Sequence, residues 1–166
     1  MTETKYRVVT HLTLVEETVH VWTHKQSSQF DAHIHQLRDE QERMQRKTFL
    51  NWINSHLRNH KPPMQMTNLI DDLKDSTRLL ALLNVLSGED LPVERSRVLR
   101  TPHFLSNANT ALRFLQSRHI KLVNINPSDI VDGRPPVILG LVWTIILHFQ
   151  IEMSTRALEQ LAWSGS

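Results

Sequence analysis

Residues 137–151 read Val-Ile-Leu-Gly-Leu-Val-Trp-Thr-Ile-Ile-Leu-His-Phe-Gln-Ile, apolar on nearly every side of a helix and relieved only by Gly140, Thr144, His148 and Gln150. Such a helix has little to offer water, so other helices or lipid must cover it. A bilayer span needs roughly 20 apolar residues, and this run falls short, which leaves a core helix. The rest of the 166-residue chain must then supply amphipathic helices to surround it, and 40% hydrophobic content is enough to do so. The expectation is an all-α globule, one compact domain with tails.

The amphipathic helices can be found by spacing. From about Glu40 to Leu57 the periodicity is helical, with Phe49, Trp52, Ile53 and Leu57 on one face, and Pro62-Pro63 forbid continuation. Thr67 can cap a short helix carrying Leu69, Ile70 and Leu73. Ser76 can cap the next, in which Leu79, Leu82, Leu83 and Leu86 recur at i, i+3, i+4, i+7 before Gly88 supplies a left-handed stop. Phe104, Ala108, Ala111, Leu112 and Leu115 form another stripe, and the Asn126-Pro127-Ser128-Asp129 and Asp132-Gly133-Arg134-Pro135-Pro136 segments punctuate the chain before the final helix. Trp52 and Trp143 lie on apolar stripes and are expected in the core, locking the first and last helices together. Residues 1–39 are rich in Val, Thr and His, and alternations such as Thr18-Val19-His20-Val21-Trp22 favour strand over helix. They form an N-terminal extension in which disorder is also open.

The net charge of +2 conceals a segregation. Arg43, Arg46, Lys47, Arg58 and Lys61 form one basic block, and Arg95, Arg97, Arg100, Arg113, Arg118 and Lys121 form another. Asp71, Asp72, Asp75, Glu89, Asp90 and Glu94 fall between them. Joined in space, the basic blocks would attract an acidic polymer, a filament or a nucleic acid; left apart, they are ordinary solvated helix faces.

Chemistry finds little support. There is no cysteine, which excludes disulfides and thiolate sites and fits a reducing compartment. Gly88, Gly133, Gly140 and Gly165 stand too far apart to cradle phosphate. The His20/His24 and His56/His60 pairs have zinc-compatible spacing, but neither encloses the Glu of a metalloprotease helix. Asp71, Asp72 and Asp75 are explained by a nearby helix start. No nucleophile, base and orienting group can be assembled, so no catalytic residue, metal or cofactor is expected. A secretory signal is not expected either, because His11, Glu16, Glu17 and His20 interrupt the N-terminal apolar residues.

The Lys47-Thr48-Phe49-Leu50-Asn51-Trp52-Ile53-Asn54 segment resembles the opening signature of actinin-type actin-binding domains. Leu122-Val123-Asn124-Ile125, Asp129-Ile130-Val131-Asp132-Gly133 and Leu139-Gly140-Leu141-Val142-Trp143-Thr144-Ile145-Ile146 resemble the closing signature of the same calponin homology (CH) domain. With the intervening Leu79-Leu80-Ala81-Leu82-Leu83-Asn84-Val85-Leu86-Ser87-Gly88, the resemblance covers residues 40–152 and leaves residues 153–166 as the start of a linker. It implies four main helices with short connecting helices around a central apolar C-terminal helix. Within the family the chain resembles the first domain of a tandem pair in spectrins, plakins, dystrophin-like proteins and above all nesprin-like proteins, through Arg46-Lys47-Thr48-Phe49 with Trp52-Ile53-Asn54-Ser55-His56-Leu57, Lys61-Pro62-Pro63-Met64 and Ile120-Lys121-Leu122-Val123-Asn124-Ile125.

The resemblance implies a non-enzymatic filamentous-actin binder of the cytoplasmic cytoskeleton, with a second CH domain elsewhere in the parent and, for a nesprin-like parent, attachment to the outer nuclear membrane through other regions. The implied contacts are residues 43–57 and 121–148, represented by Arg43, Arg46, Lys47, Asn51, Asn54, Lys121 and Arg134. One departure is Ser76 after Asp75, where the family usually has glycine. The rival is a CH domain that scaffolds other proteins without touching actin. A nucleic-acid binder would need exposed aromatics or a recognition helix, and nucleic acid and direct membrane insertion are not expected.

Overall fold

In a computed structural model, the backbone is described for residues 2–165 and the side chains for residues 28–165. Five α-helices follow in order: α1 (Thr2–Leu57), α2 (Thr77–Ser87), α3 (Thr101–Ser117), α4 (Pro127–Val131) and α5 (Pro135–Ser164), with a single 3-10 turn at Asp71–Leu73. There is no strand among the described residues. The chain divides into two units, Met1–Gln45 and Arg46–Ser166.

The first unit is helical throughout its described backbone, so the strand expected at residues 18–22 is overturned. β-branched residues cost only a few tenths of a kcal/mol each in a helix, and with no neighbouring strand to pair with, local backbone hydrogen bonding prevails.

The second unit is built around one core. Phe49, Ile53 and Leu57 of α1, Leu79, Leu80, Leu82 and Leu83 of α2, Ala108, Ala111 and Leu115 of α3, Ile130 of α4 and Ile138, Leu141, Val142, Ile145 and Phe149 of α5 are all buried together. Each large aliphatic or aromatic side chain withdrawn in this way contributes about 1.5–3 kcal/mol. The helix α5 enters this core by one face only. Trp143, Leu147 and Ile151, spaced i, i+4, i+8, lie on the other side and are exposed at 50%, 45% and 57%. Trp143 is therefore not a buried core residue as expected. An apolar pattern on every side of a helix does not say which side packs. The indole nevertheless joins the first and last helices, its ring stacking on Phe49 at 6.2 Å between centroids. The helix α5 continues without interruption to Ser164, and by length and composition it could cross a bilayer, with a window of mean hydropathy 1.6. Its inward face is instead committed to the core of this unit.

Asparagines fasten the connecting segments. Asn84 Oδ1 accepts from the Leu91 N–H at 2.8 Å. Asn107, buried in α3, accepts from the Glu94 N–H at 2.8 Å and donates to the Asp75 carbonyl at 3.2 Å. The turn before Asp71 is capped by Asn68 and not by Thr67: Asn68 Oδ1 accepts the N–H groups of Ile70 and Asp71, each at 3.1 Å. An Asx side chain reaches the amides two and three residues on more readily than a threonine farther back. Asp72 closes the same turn from behind by accepting the N–H groups of Thr67 and Asn68. Burial alone would raise this carboxyl, but those two backbone donors, with Arg78 and the Thr67 hydroxyl, pull its pKa below the ordinary aspartate value.

Ser76 departs from its expected role. It precedes α2 with φ 61°, in the left-handed region, and its side chain caps nothing. Its Oγ is buried without a hydrogen-bond partner, while Asp75 Oδ1 accepts from the Thr77 N–H at 2.9 Å and the Thr77 hydroxyl at 2.8 Å. A residue with a Cβ is strained there and an orphaned hydroxyl adds to the cost. The expected result for Ser76→Gly is a gain of about 1 kcal/mol in unfolding free energy, seen as a raised urea midpoint at unchanged slope. Gly88, at φ 75°, ends α2 as its sequence position suggests, its N–H donating to the Asn84 carbonyl.

Candidate functional site

The C-terminal turns of α1 have two unlike faces. Phe49, Ile53 and Leu57, spaced i, i+4, i+8, are buried. Lys47, Asn51, Asn54 and Arg58, spaced i, i+4, i+7, i+11, share the opposite face; Lys47, Asn51 and Arg58 are exposed and Asn54 is half-buried. Because the inner face is fixed by packing, the outer one is presented on a rigid support. Arg46 is half-buried and lies off this row, while Arg43 is exposed and belongs to the first unit.

The row opens into a shallow groove of about 490 Å³ lined by Asn51, Asn54, Arg58, Pro63, Met64 and Gln65. Asn54 builds this groove. Its Nδ2 donates to the Met66 carbonyl at 2.9 Å, and its Oδ1 accepts the Met66 N–H at 2.8 Å. Both ends of the amide are thereby committed to holding the segment after α1, which makes Asn54 a positioning residue. Arg58 and Gln65 were absent from the residues singled out by resemblance; the i, i+4, i+7, i+11 row is the signal that finds Arg58, whereas Gln65 is brought in only by the Asn54 clamp.

The described groove lining includes neither Lys121 nor Arg134. Lys121 is exposed in the segment between α3 and α4. Arg134 precedes α5 and forms an ion pair with Asp129 at 3.5 Å, its own side chain 65% exposed. On the inner side of α1, His56 packs against the Trp52 ring at 4.5 Å between centroids, and burial holds its pKa below the ordinary histidine value. His60 is engaged separately, its Nδ1 2.9 Å from the Pro62 carbonyl. No cluster of three or more metal-ligating side chains exists among the described residues. The surface offers positive charge, amide donors and acceptors, and a groove: equipment for binding.

A family model described as the calponin homology (CH) domain matches residues 43–151. The chain belongs to the calponin homology family. Over 137 residues, 82% of its length, it is 66% identical to Muscle-specific protein 300 kDa of Drosophila melanogaster. It is 50% identical to Nesprin-2 of Mus musculus over 122 residues, 74% of the chain. It is likewise 50% identical to Microtubule-actin cross-linking factor 1 of Rattus norvegicus over 113 residues, 68% of the chain. These matches cover only 1% or 2% of those relatives. The actin-crosslinking core of Schizosaccharomyces pombe fimbrin shares the fold, with a TM-score of 0.60 and 20% identity, covering 68% of this chain and 25% of that one. In this CH domain Phe49 and Ile53 of the opening signature are core, Leu50 and Trp52 pack partly buried against it, and Lys47 and Asn51 face solvent.

Two outcomes are expected. Asn54→Ala removes both bonds to Met66 and should lower stability by about 2 kcal/mol, measured by urea unfolding. Neutral His56 should stabilise the fold fully above pH 6.5, its ordinary value, and less as pH falls from there toward its lowered folded-state value, because the unfolded chain then takes the proton more readily. The difference in unfolding free energy between the parent and His56→Gln, measured at stepped pH, should shrink over that window.

Proposed function

We propose that the unit from Arg46 onward binds filamentous actin through the outer face of α1, without catalysing a reaction. The observation that carries this reading is the Lys47, Asn51 and Arg58 row, held out to solvent while Phe49, Ile53 and Leu57 anchor the same helix from behind. Actin is acidic, and a rigid cationic ridge suits its surface. The name of one relative, Microtubule-actin cross-linking factor 1, supports the same partner. Arg46 on α1, and Lys121 and Arg134 on the later segment, extend the contact, and Arg43 of the first unit is a candidate contact by itself. Asn54 acts by shaping the groove.

On this reading residues 40–152 are the working domain, in a cytoskeletal linker of nesprin-like kind whose second CH domain cooperates in filament binding. Residues 153–166 then begin a linker, with α5 continuing as far as Ser164. The name of another relative, Nuclear anchorage protein 1 of Caenorhabditis elegans, 42% identical over 127 residues, supports a role in anchorage at the nucleus, which on this reading joins actin to the nuclear envelope.

Co-sedimentation with filamentous actin tests the proposal. The chain should pellet with filaments at low salt and less at physiological salt, where the Debye length is about 8 Å. Lys47→Glu with Arg58→Glu, folded by circular dichroism, should bind at least ~10-fold more weakly. Absence of pelleting at low salt, or full binding by the double variant, would overturn the assignment and favour a scaffolding role toward another protein.

A further inference from the structure

The first unit carries a pattern that actin binding through α1's C-terminal turns does not use. Phe30, Ile34, Leu37 and Gln41 follow the alternating four- and three-residue spacing of a coiled-coil seam. Phe30 is 64% exposed and Leu37 49%. Among the described residues of Met1–Gln45 there is no element besides α1. A helix gains most of its stability from burying an apolar stripe, so the seam calls for a partner.

We propose that this partner is the same stretch of a second copy, lying antiparallel. The charges flanking the seam decide both points. With the two-fold axis between His35 and Gln36, Ile34 of each copy meets Leu37 of the other and Phe30 meets Gln41. The flanking positions then set Asp31 against Arg38 and His33 against Glu40, and symmetry repeats each pairing. A parallel pair in register would set His33 beside Arg38 and Glu40 beside Gln45, with no attraction at either place. Self-complementarity over this short seam, with Gln41 at one core position, makes a weak reversible dimer that carries two CH domains.

Sedimentation equilibrium of the full 166-residue chain over a concentration series tests this. A reversible monomer–dimer equilibrium is expected. Leu37→Asp, an exposed position, should abolish it while leaving the unfolding midpoint of the CH domain unchanged. Asp31→Arg should weaken the dimer ~10-fold, and adding Arg38→Asp should restore it, since the reversed pair is again complementary. A chain that stays monomeric at every concentration, or a dimer that survives Leu37→Asp, would overturn the proposal. So would a double variant as weak as the single one, because only the antiparallel register couples those two positions.

Discussion

Everything in the second unit depends on taking one face of α5 out of water. Ile138, Leu141, Val142, Ile145 and Phe149 are the inward residues of a helix that carries apolar side chains almost everywhere, and α1, α2, α3 and α4 each contribute buried residues to the same core. That shared burial holds the C-terminal turns of α1 by Phe49, Ile53 and Leu57 and thereby determines which side of α1 faces solvent. The Phe49–Trp143 stack adds a lateral tie between the same two helices. The proposed binding face is thus a consequence of core packing, since its Lys and Arg side chains need only be on the side that the core leaves over.

Polar side chains do a different job. Asn54, Asn84 and Asn107 each satisfy backbone groups of a connecting segment that has no regular partner of its own. A buried N–H or carbonyl left unpaired costs about 1–3 kcal/mol, so these side chains decide where the segments lie. The groove beside Arg58 exists because Asn54 holds Met66 in place.

Much of this was legible in the sequence. The leucine spacing of α2, its end at Gly88 and the stripe of α3 gave the elements directly, and the two signature segments gave the family. The Asn54 clamp was not legible, because its partner lies 12 residues away, nor was the Asn107 bond to Asp75, 32 residues away, and periodicity reports only near neighbours. Ser76 looked like a cap because serine usually is one; only the backbone shows a left-handed residue whose neighbour Asp75 does the capping. Trp143 looked buried because a helix apolar all round gives no clue to its orientation. The N-terminal stretch of α1 looked like strand because Val, Thr and His dominate its early residues, while the seam through Phe30, Ile34 and Leu37 is too sparse to stand out.

The uninterrupted run of α5 past Phe149 to Ser164 has a mechanical meaning. At about 1.5 Å of rise per residue, the tail is a stiff rod and not a slack tether. Tension applied at its far end would travel along continuous backbone hydrogen bonds to Phe149 and Ile145, the side chains that seat the helix. A pull on this CH domain would therefore load its core at once, with little stretch to absorb it first.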